Sequence, residues 1–171
     1  MKRIWFLAIA SLLFVGSNAQ SREGVSSLMG QVGYQSDYER FGLGLQYRHA
    51  IMNHVRIAPD VTFFFPKDKV TGLDININFH YVFDFKADGQ GLQVYPLLGV
   101  GMQNNFDNIR TVTFSGQNVV EERENTTDFV INAGGGLSLP LSPKSYLNAE
   151  TRFLFGDKNS VVFMLGYGWR F

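Results

Sequence analysis

Cysteine is absent from the 171 residues, which excludes a disulfide scaffold, a thiolate zinc site and any thiol nucleophile. Charge is scarce as well. Asp, Glu, Lys and Arg make up 18% of the chain, below the roughly 25% usual in soluble domains. Neither sign dominates, with 15 basic and 15 acidic residues, so composition gives no support to nucleic-acid binding. The apolar run Ile4 to Val15 covers twelve residues. At about 1.5 Å per residue, a helix of that length cannot cross a hydrocarbon core of about 30 Å. Apolar residues are spread along the whole chain, which excludes a long disordered tail.

What is present begins with an address. Lys2 and Arg3 precede the apolar run, and Ser17-Asn18-Ala19 places small residues at the two positions that determine cleavage. This is the secretory pattern, so residues 1–19 are expected to be a signal peptide cut before Gln20. No Cys stands at the cut, which excludes a lipid-modified N-terminus. Residues 20–171 then form one domain, with 13 basic against 15 acidic residues.

That domain alternates. From Leu73 to Phe85 the odd positions are all apolar or aromatic, and five of the six even positions are polar. Period two over thirteen residues is a strand signal that no amphipathic helix imitates. Residues 161–171 repeat it, with Val161, Phe163, Leu165, Tyr167, Trp169 and Phe171 on one face. Residues 41–51 do the same, and weaker versions cover 26–35, 55–65, 92–102, 127–139 and 146–155. Eight segments separated by turn-like stretches predict an all-β, antiparallel, up-and-down barrel.

Alternation leaves open which face meets water, and the charges decide it. All mature Lys residues (67, 69, 86, 144, 158) fall between the segments. Charges within strands are few: Arg48, Arg56, Arg152 and Arg170 against Asp60, Asp74, Asp84, Asp128 and Glu150, all on the less apolar face. That face also carries nine Gly, at 33, 42, 44, 99, 101, 134, 136, 166 and 168. A solvated surface would be rich in Lys and Glu; a narrow lumen packed with paired charges fits better. The opposite face is uncharged, and in water it would be an aggregation liability. In lipid it is the belt of a transmembrane β-barrel. Phe41, Tyr47, Phe63, Phe65, Phe85, Phe153, Phe155, Trp169 and Phe171 would supply the interfacial girdles.

With the N-terminus in the periplasm, the inner turns (51–54, 86–91 and 140–145) are short. The outer connections 66–72 and 104–126 are expected to be longer. Pro59 and Pro96 fall inside strands, where each removes a ladder donor, so a bulge or a shortened strand is expected at each.

The signal peptide, the eight segments and the terminal Leu165-Gly166-Tyr167-Gly168-Trp169-Arg170-Phe171 resemble the small eight-stranded bacterial outer-membrane barrels of the A/X type. The resemblance covers the whole mature chain. It implies a monomer in the bacterial outer membrane, in contact with lipid and lipopolysaccharide. It also implies that Phe163, Leu165, Tyr167, Trp169 and Phe171 form the C-terminal sorting signal read by the barrel-assembly machinery. The peptidoglycan-binding domain of longer members is expected to be absent.

Chemistry is harder to find. His80 shares a face with Asp84, four residues on, a spacing that could serve a base and its orienting carboxylate. The alternative, which we favour, is a structural lumen network of Arg48, Arg56, Asp60, His80, Asp84, Asp128, Glu150, Arg152 and Arg170. His49 and His54 flank an inner turn and are expected to be solvated. Gly134-Gly135-Gly136 and Gly99-Val100-Gly101 lack the Gly-Lys-Ser/Thr of a phosphate loop. No catalytic, cofactor or metal site is expected. Within 104–126, residues 109–114 and 118–122 flank Ser115-Gly116-Gln117 as a hairpin, a place for a surface ligand through β-augmentation. The alternative there is a solvated loop whose acidic 121–124 run repels neighbours. The expected function is a non-enzymatic barrel serving envelope integrity or surface contact. Rival readings are a narrow channel or conduit, a lipid-modifying enzyme, and a soluble lipocalin-like carrier with the faces inverted.

Overall fold

The computed structural model describes residues 23–68, 70–85, 91–107, 112–114, 117–119 and 125–171. The signal peptide 1–19, Lys69, Lys86 and the acidic run 121–124 lie outside the described residues. Eight long strands carry the fold: β1 (Ser26–Gln35), β2 (Arg40–Met52), β3 (Val55–Lys67), β4 (Val70–Tyr81), then, past the short β5 (Phe83–Asp84), β6 (Gln93–Asp107). Two short strands, β7 (Val112–Phe114) and β8 (Gln117–Val119), precede β9 (Asn125–Pro140), β10 (Ser145–Phe155) and β11 (Ser160–Arg170). No helix occurs among the described residues.

Each long strand pairs antiparallel with its neighbours in sequence, and β1 pairs with β11, so the sheet closes. Closure leaves no free edge within the bilayer, the condition lipid imposes on strands. Tracing paired residues round the wall from Ser26 leads through His49, Ile57, Phe79, Leu98, Ala133 and Phe153 to Val161. The Val161 carbonyl accepts the Ser36 N–H at 2.9 Å, so the path returns to β1 ten residues further out. A stagger of that size in eight strands tilts them by about 35–45° and leaves an interior that side chains can fill.

Burial follows the sequence alternation with its sense now fixed. Arg48, Asp60, Asp74, Glu150 and Arg152 are buried, while Phe41, Leu45, Ile77, Leu98, Leu165 and Phe171 are exposed. All nine aromatics expected in the girdles lie on the exposed side. The soluble-carrier reading is overturned, because it needs the reverse.

The expectations for proline need correction. At Pro59 the β2–β3 ladder runs from Gln46↔Asp60 to His49↔Ile57, skipping two positions without changing register. At Pro96 the ladder runs from His80↔Leu97 to Phe83↔Val94, again in constant register. Each proline withholds an N–H from one neighbour, but neither makes a bulge or shortens its own strand. On the other side of the chain the β3–β4 register continues past Val55↔Tyr81, the Val82 N–H donating to the His54 carbonyl at 2.6 Å. The bulges lie elsewhere, at Ala50–Met52 and between Phe64 and Lys67, the latter spanning Pro66. The 66–72 connection is likewise no long loop. β3 continues to Lys67 and β4 begins at Val70, and Asp68 adopts the positive φ of 51° that so tight a reversal demands. In the long outer connection, Val112–Phe114 pairs with Gln117–Val119. The expected tip residues Ser115 and Gly116 lie outside the described residues.

Candidate functional site

The lumen is the only place where the strands bring many ionisable groups together among the described residues, and it is built in tiers. Period two sends every second side chain inward, and the stagger sets which strands meet at one height. In the inner tier Arg48 is fully buried and reaches five partners, one of them Ser138, whose Oγ accepts from Nη1 at 3.3 Å. Its Nη2 donates to the Tyr95 hydroxyl at 3.0 Å and to Glu150 Oε2 at 3.2 Å, Nη1 donates to Asn148 Oδ1 at 3.1 Å, and Nε donates to Gln46 Oε1. The Tyr95 hydroxyl lies 2.7 Å from Glu150 Oε2, so it joins a cation and an anion. His80 stacks on the Tyr95 ring with centroids 4.4 Å apart, and its Nδ1 accepts from Arg56 Nη2 at 3.1 Å.

The middle tier centres on Asp60. Arg152 Nη1 donates to both of its oxygens, at 3.0 and 2.9 Å, while Arg152 Nε donates to Glu150 Oε1 at 2.7 Å. Asn76 and Asn78 donate to the same carboxylate at 3.1 and 3.0 Å, and Asn132 bridges their amide oxygens at 2.9 Å each. Asp60 therefore has donors on both oxygens, as a buried carboxylate requires. Glycine makes the room. A Cβ on Gly136 would lie 2.5 Å from the Tyr95 hydroxyl, and one on Gly101 would lie 2.1 Å from Asn76 Oδ1.

The outer tier is apolar on one side. Phe64 projects from β3 and packs with Val130, Leu154, Val162 and Met164 from β9, β10 and β11. Above it the Arg40 guanidinium lies between the Phe64 and Tyr38 rings, 5.0 and 4.4 Å from their centroids. Gln35 and Asn105 accept from Arg40 at 2.7 and 2.8 Å. At the inner mouth Arg170 stacks on Tyr146, 5.1 Å away, and Gln93 donates to Asp84 at 3.0 Å.

Of the nine residues expected in the lumen, Arg48, Arg56, Asp60, His80, Glu150 and Arg152 meet in one connected network. Asp84 and Arg170 sit apart from it, at the mouth where the chain's first and last strands begin and end. Asp128 is half-buried near the outer rim and joins no ion pair among the described residues. His49 and His54 need correction, for neither is simply solvated. His49 Nδ1 lies 2.9 Å from Ser26 Oγ, and His54 Nδ1 lies 3.0 Å from the Val82 carbonyl. Tyr95, Arg40 and the Asn cluster were not singled out from the sequence, although Tyr95 shares parity with Gly99, Gly101 and Gln103 and was open to the same reading.

Chemically the arrangement offers cohesion across the lumen. His80 commits Nδ1 to a cation, so that nitrogen cannot take a proton from a substrate without losing Arg56. A groove of about 700 Å³ lies not in the lumen but on the lipid-facing wall around Gly30, lined by Val32, Leu43, Leu45, Val61 and Leu165 among others.

No family model matches the chain, and no curated protein aligns with it significantly. Solved structures do. The N-terminal β-barrel domain of Pseudomonas aeruginosa OprF superposes with a TM-score of 0.70 at 19% identity, over 87% of this chain and 98% of that one. Ail, the attachment invasion locus protein of Yersinia pestis, gives 0.60 at 21% identity over 88% and 100%. A de novo designed transmembrane β-barrel gives 0.58 at 12% identity over 89% and 99%. The fold is thus that of the small bacterial outer-membrane β-barrels, and the apolar belt and charged interior are those of a transmembrane wall.

Proposed function

We propose that this chain is a non-enzymatic outer-membrane barrel that serves envelope integrity or surface contact and conducts no solute. The observation carrying the reading is that side chains from opposite walls join across the lumen. Arg152 on β10 holds Asp60 on β3, Arg48 on β2 holds Glu150 on β10, and Phe64 on β3 packs against β9 to β11. Ions entering from outside would have to displace an apolar contact and then separate buried ion pairs, and each is costly. The belt of exposed Leu, Val, Ile and Phe would lie in lipid, with the rim turns in the lipopolysaccharide layer. The expected partners are outer-membrane lipid and lipopolysaccharide, the barrel-assembly machinery during insertion, and a surface ligand approached through the 104–126 region. The barrel acts as a monomer.

Two measurements test this. Cell fractionation should place the protein in the outer membrane, with a gel mobility that shifts on boiling. Purified barrel in planar bilayers should show no steady unitary conductance. Regular conductance steps from the folded protein would instead establish a channel.

A further inference from the structure

The lipid-facing wall is dented where β1 closes on β11. Register sets Leu147, Tyr167, Gly30, Leu45 and Val61 side by side on β10, β11, β1, β2 and β3. The other four project exposed side chains from the wall, and Gly30 has none. The groove of about 700 Å³ opens there, between this row and the next one outward, which passes through Val32. A Cβ on Gly30 would meet no atom within 4 Å among the described residues, so bare backbone forms the floor. The walls are aliphatic and aromatic, and only an apolar occupant suits them.

The foot of the groove carries the groups of a membrane interface. Two residues down β1 from Gly30 is Leu28, and one strand across from Leu28 is Trp169. On strands tilted by about 40°, both steps descend, while their sideways shifts of about 4 Å oppose each other. Trp169 therefore lies beneath Gly30 along the membrane normal, about 8 Å lower. Ser145 pairs with Trp169, and Lys144 precedes it in the β9–β10 turn, its carbonyl accepting the Arg170 N–H at 2.7 Å. Lys144 is exposed and makes no ion pair among the described residues. Trp and Lys at the end of a membrane-spanning wall are anchors at the level of the lipid headgroups.

We propose that the groove is a binding site for one anionic phospholipid of the periplasmic leaflet, its phosphate at Lys144, its glycerol against Trp169 and one acyl chain rising past Gly30. The site rests on the outer-membrane reading, with the chain termini in the periplasm, and adds to it one lipid at one place. Charge complementarity sets the headgroup end, since Lys144 offers an unpaired cation directly below the groove. The length agrees. From Trp169 to Val32 the wall rises by about 13 Å, close to the roughly 15 Å of hydrocarbon in one leaflet. A second copy of this chain does not fit. Copies in one membrane share an orientation, so a two-fold contact across the groove would set two Lys144 ammonium groups against each other. A lipopolysaccharide chain would descend from the opposite end, away from Lys144.

Trp169 supplies the test, because it is the one tryptophan in residues 20–171. The barrel is folded into phosphatidylcholine vesicles holding a minor fraction of phosphatidylglycerol. Bromine on an acyl chain quenches indole fluorescence at close range, so the label is placed either on the glycerol lipid or on an equal fraction of the choline lipid. Brominated phosphatidylglycerol should occupy the site about fivefold more than brominated phosphatidylcholine, the preference one interfacial lysine provides. Lys144→Gln should abolish the preference. Gly30→Val fills the groove without a clash and should keep its heat-shifted gel mobility, yet at least halve the preference. Equal quenching of wild type by the two lipids overturns the site, and a preference that survives Gly30→Val in full overturns the groove as its seat. Quenching by both lipids that falls as barrels are packed more densely would give the groove to a second copy and overturn the lipid. No quenching by either lipid would instead overturn the reading beneath it, that this wall meets lipid at all.

Discussion

Arg152 on β10 and Asp60 on β3 meet across the lumen, the guanidinium Nη1 lying 3.0 and 2.9 Å from the two carboxylate oxygens. The residues are 92 positions apart and their strands are not neighbours, so the pair ties opposite walls. Truncating one partner strands the other charge in a buried site, which typically costs about 3–5 kcal/mol. Asp60→Ala should therefore lower unfolding stability by that amount in detergent or vesicles. Asp60→Leu combined with Arg152→Met should regain most of the loss, because no charge is then left unpaired. A double variant as unstable as the sum of the singles would show that the network contributes more than charge compensation.

Glycine substitutions separate the two faces of the wall. A Cβ at Gly136 would press on the Tyr95 hydroxyl at 2.5 Å and on the Ala149 carbonyl at 2.7 Å, whereas one at Gly30 meets nothing within 4 Å. Gly136→Ala should cost about 1–3 kcal/mol through overpacking. Gly30→Ala should be neutral or slightly stabilising, since it adds a methyl to the lipid-facing groove. Urea titrations of the two variants side by side would check the contrast.

The contrast also shows what periodicity could and could not reveal. Alternation from Leu73 to Phe85, together with the placement of the charges, was enough to set the inward face, because a register slip of one would send His80 and Asp84 into lipid. The same rule located Arg48, Asp60, Glu150 and Arg152 in the lumen. Their partners could not be read that way, since pairing across the lumen depends on the stagger, a property of all eight strands together. Pro59 and Pro96 were misjudged because a missing N–H can open one ladder while the strand stays in register on its other side. Arg40 escaped notice because β2 begins one residue before its alternation becomes evident.

Leu45 lies on the exposed face of β2 and lines the groove around Gly30. An arginine there would place a charge in the hydrocarbon, costing about 2–4 kcal/mol near the midplane and far less near an interface. Leu45→Arg should accordingly lower stability in vesicles by an amount in the upper part of that range. A fully folded protein with unchanged stability would mean that this face does not meet lipid.

Glu39 and Lys67 pair at the outer rim, both exposed, and the hydrogen bond and charge of Lys67 hold the Glu39 carboxyl below its ordinary value of 4.5. A depressed carboxyl stabilises the folded form above its unfolded value, and that contribution is lost as pH falls through the folded one. Amide protection in the 36–39 turn should thus be flat from pH 7 to about 5 and fall below about 4.5. In Glu39→Gln that acid step should vanish. Because both groups are exposed, global stability should hardly change.

Phe171 sits at the inner end of the closing seam, where its N–H donates to the Ser26 carbonyl at 2.9 Å and its carbonyl accepts the Ser26 N–H at 3.4 Å. Deleting it would remove these backbone bonds together with the aromatic ring, so a deletion cannot tell seam closure from recognition by the assembly machinery. Phe171→Ala retains the backbone and removes only the ring, which lies on the lipid-facing side with Phe163, Leu165, Tyr167 and Trp169. If those five residues form the sorting signal, Phe171→Ala should assemble poorly in cells, leaving unshifted material in the periplasm. The same variant should fold normally from urea into lipid vesicles, where no machinery acts. Equal deficits in both settings would make the ring a structural element of the seam, and no deficit in cells would remove its role in sorting.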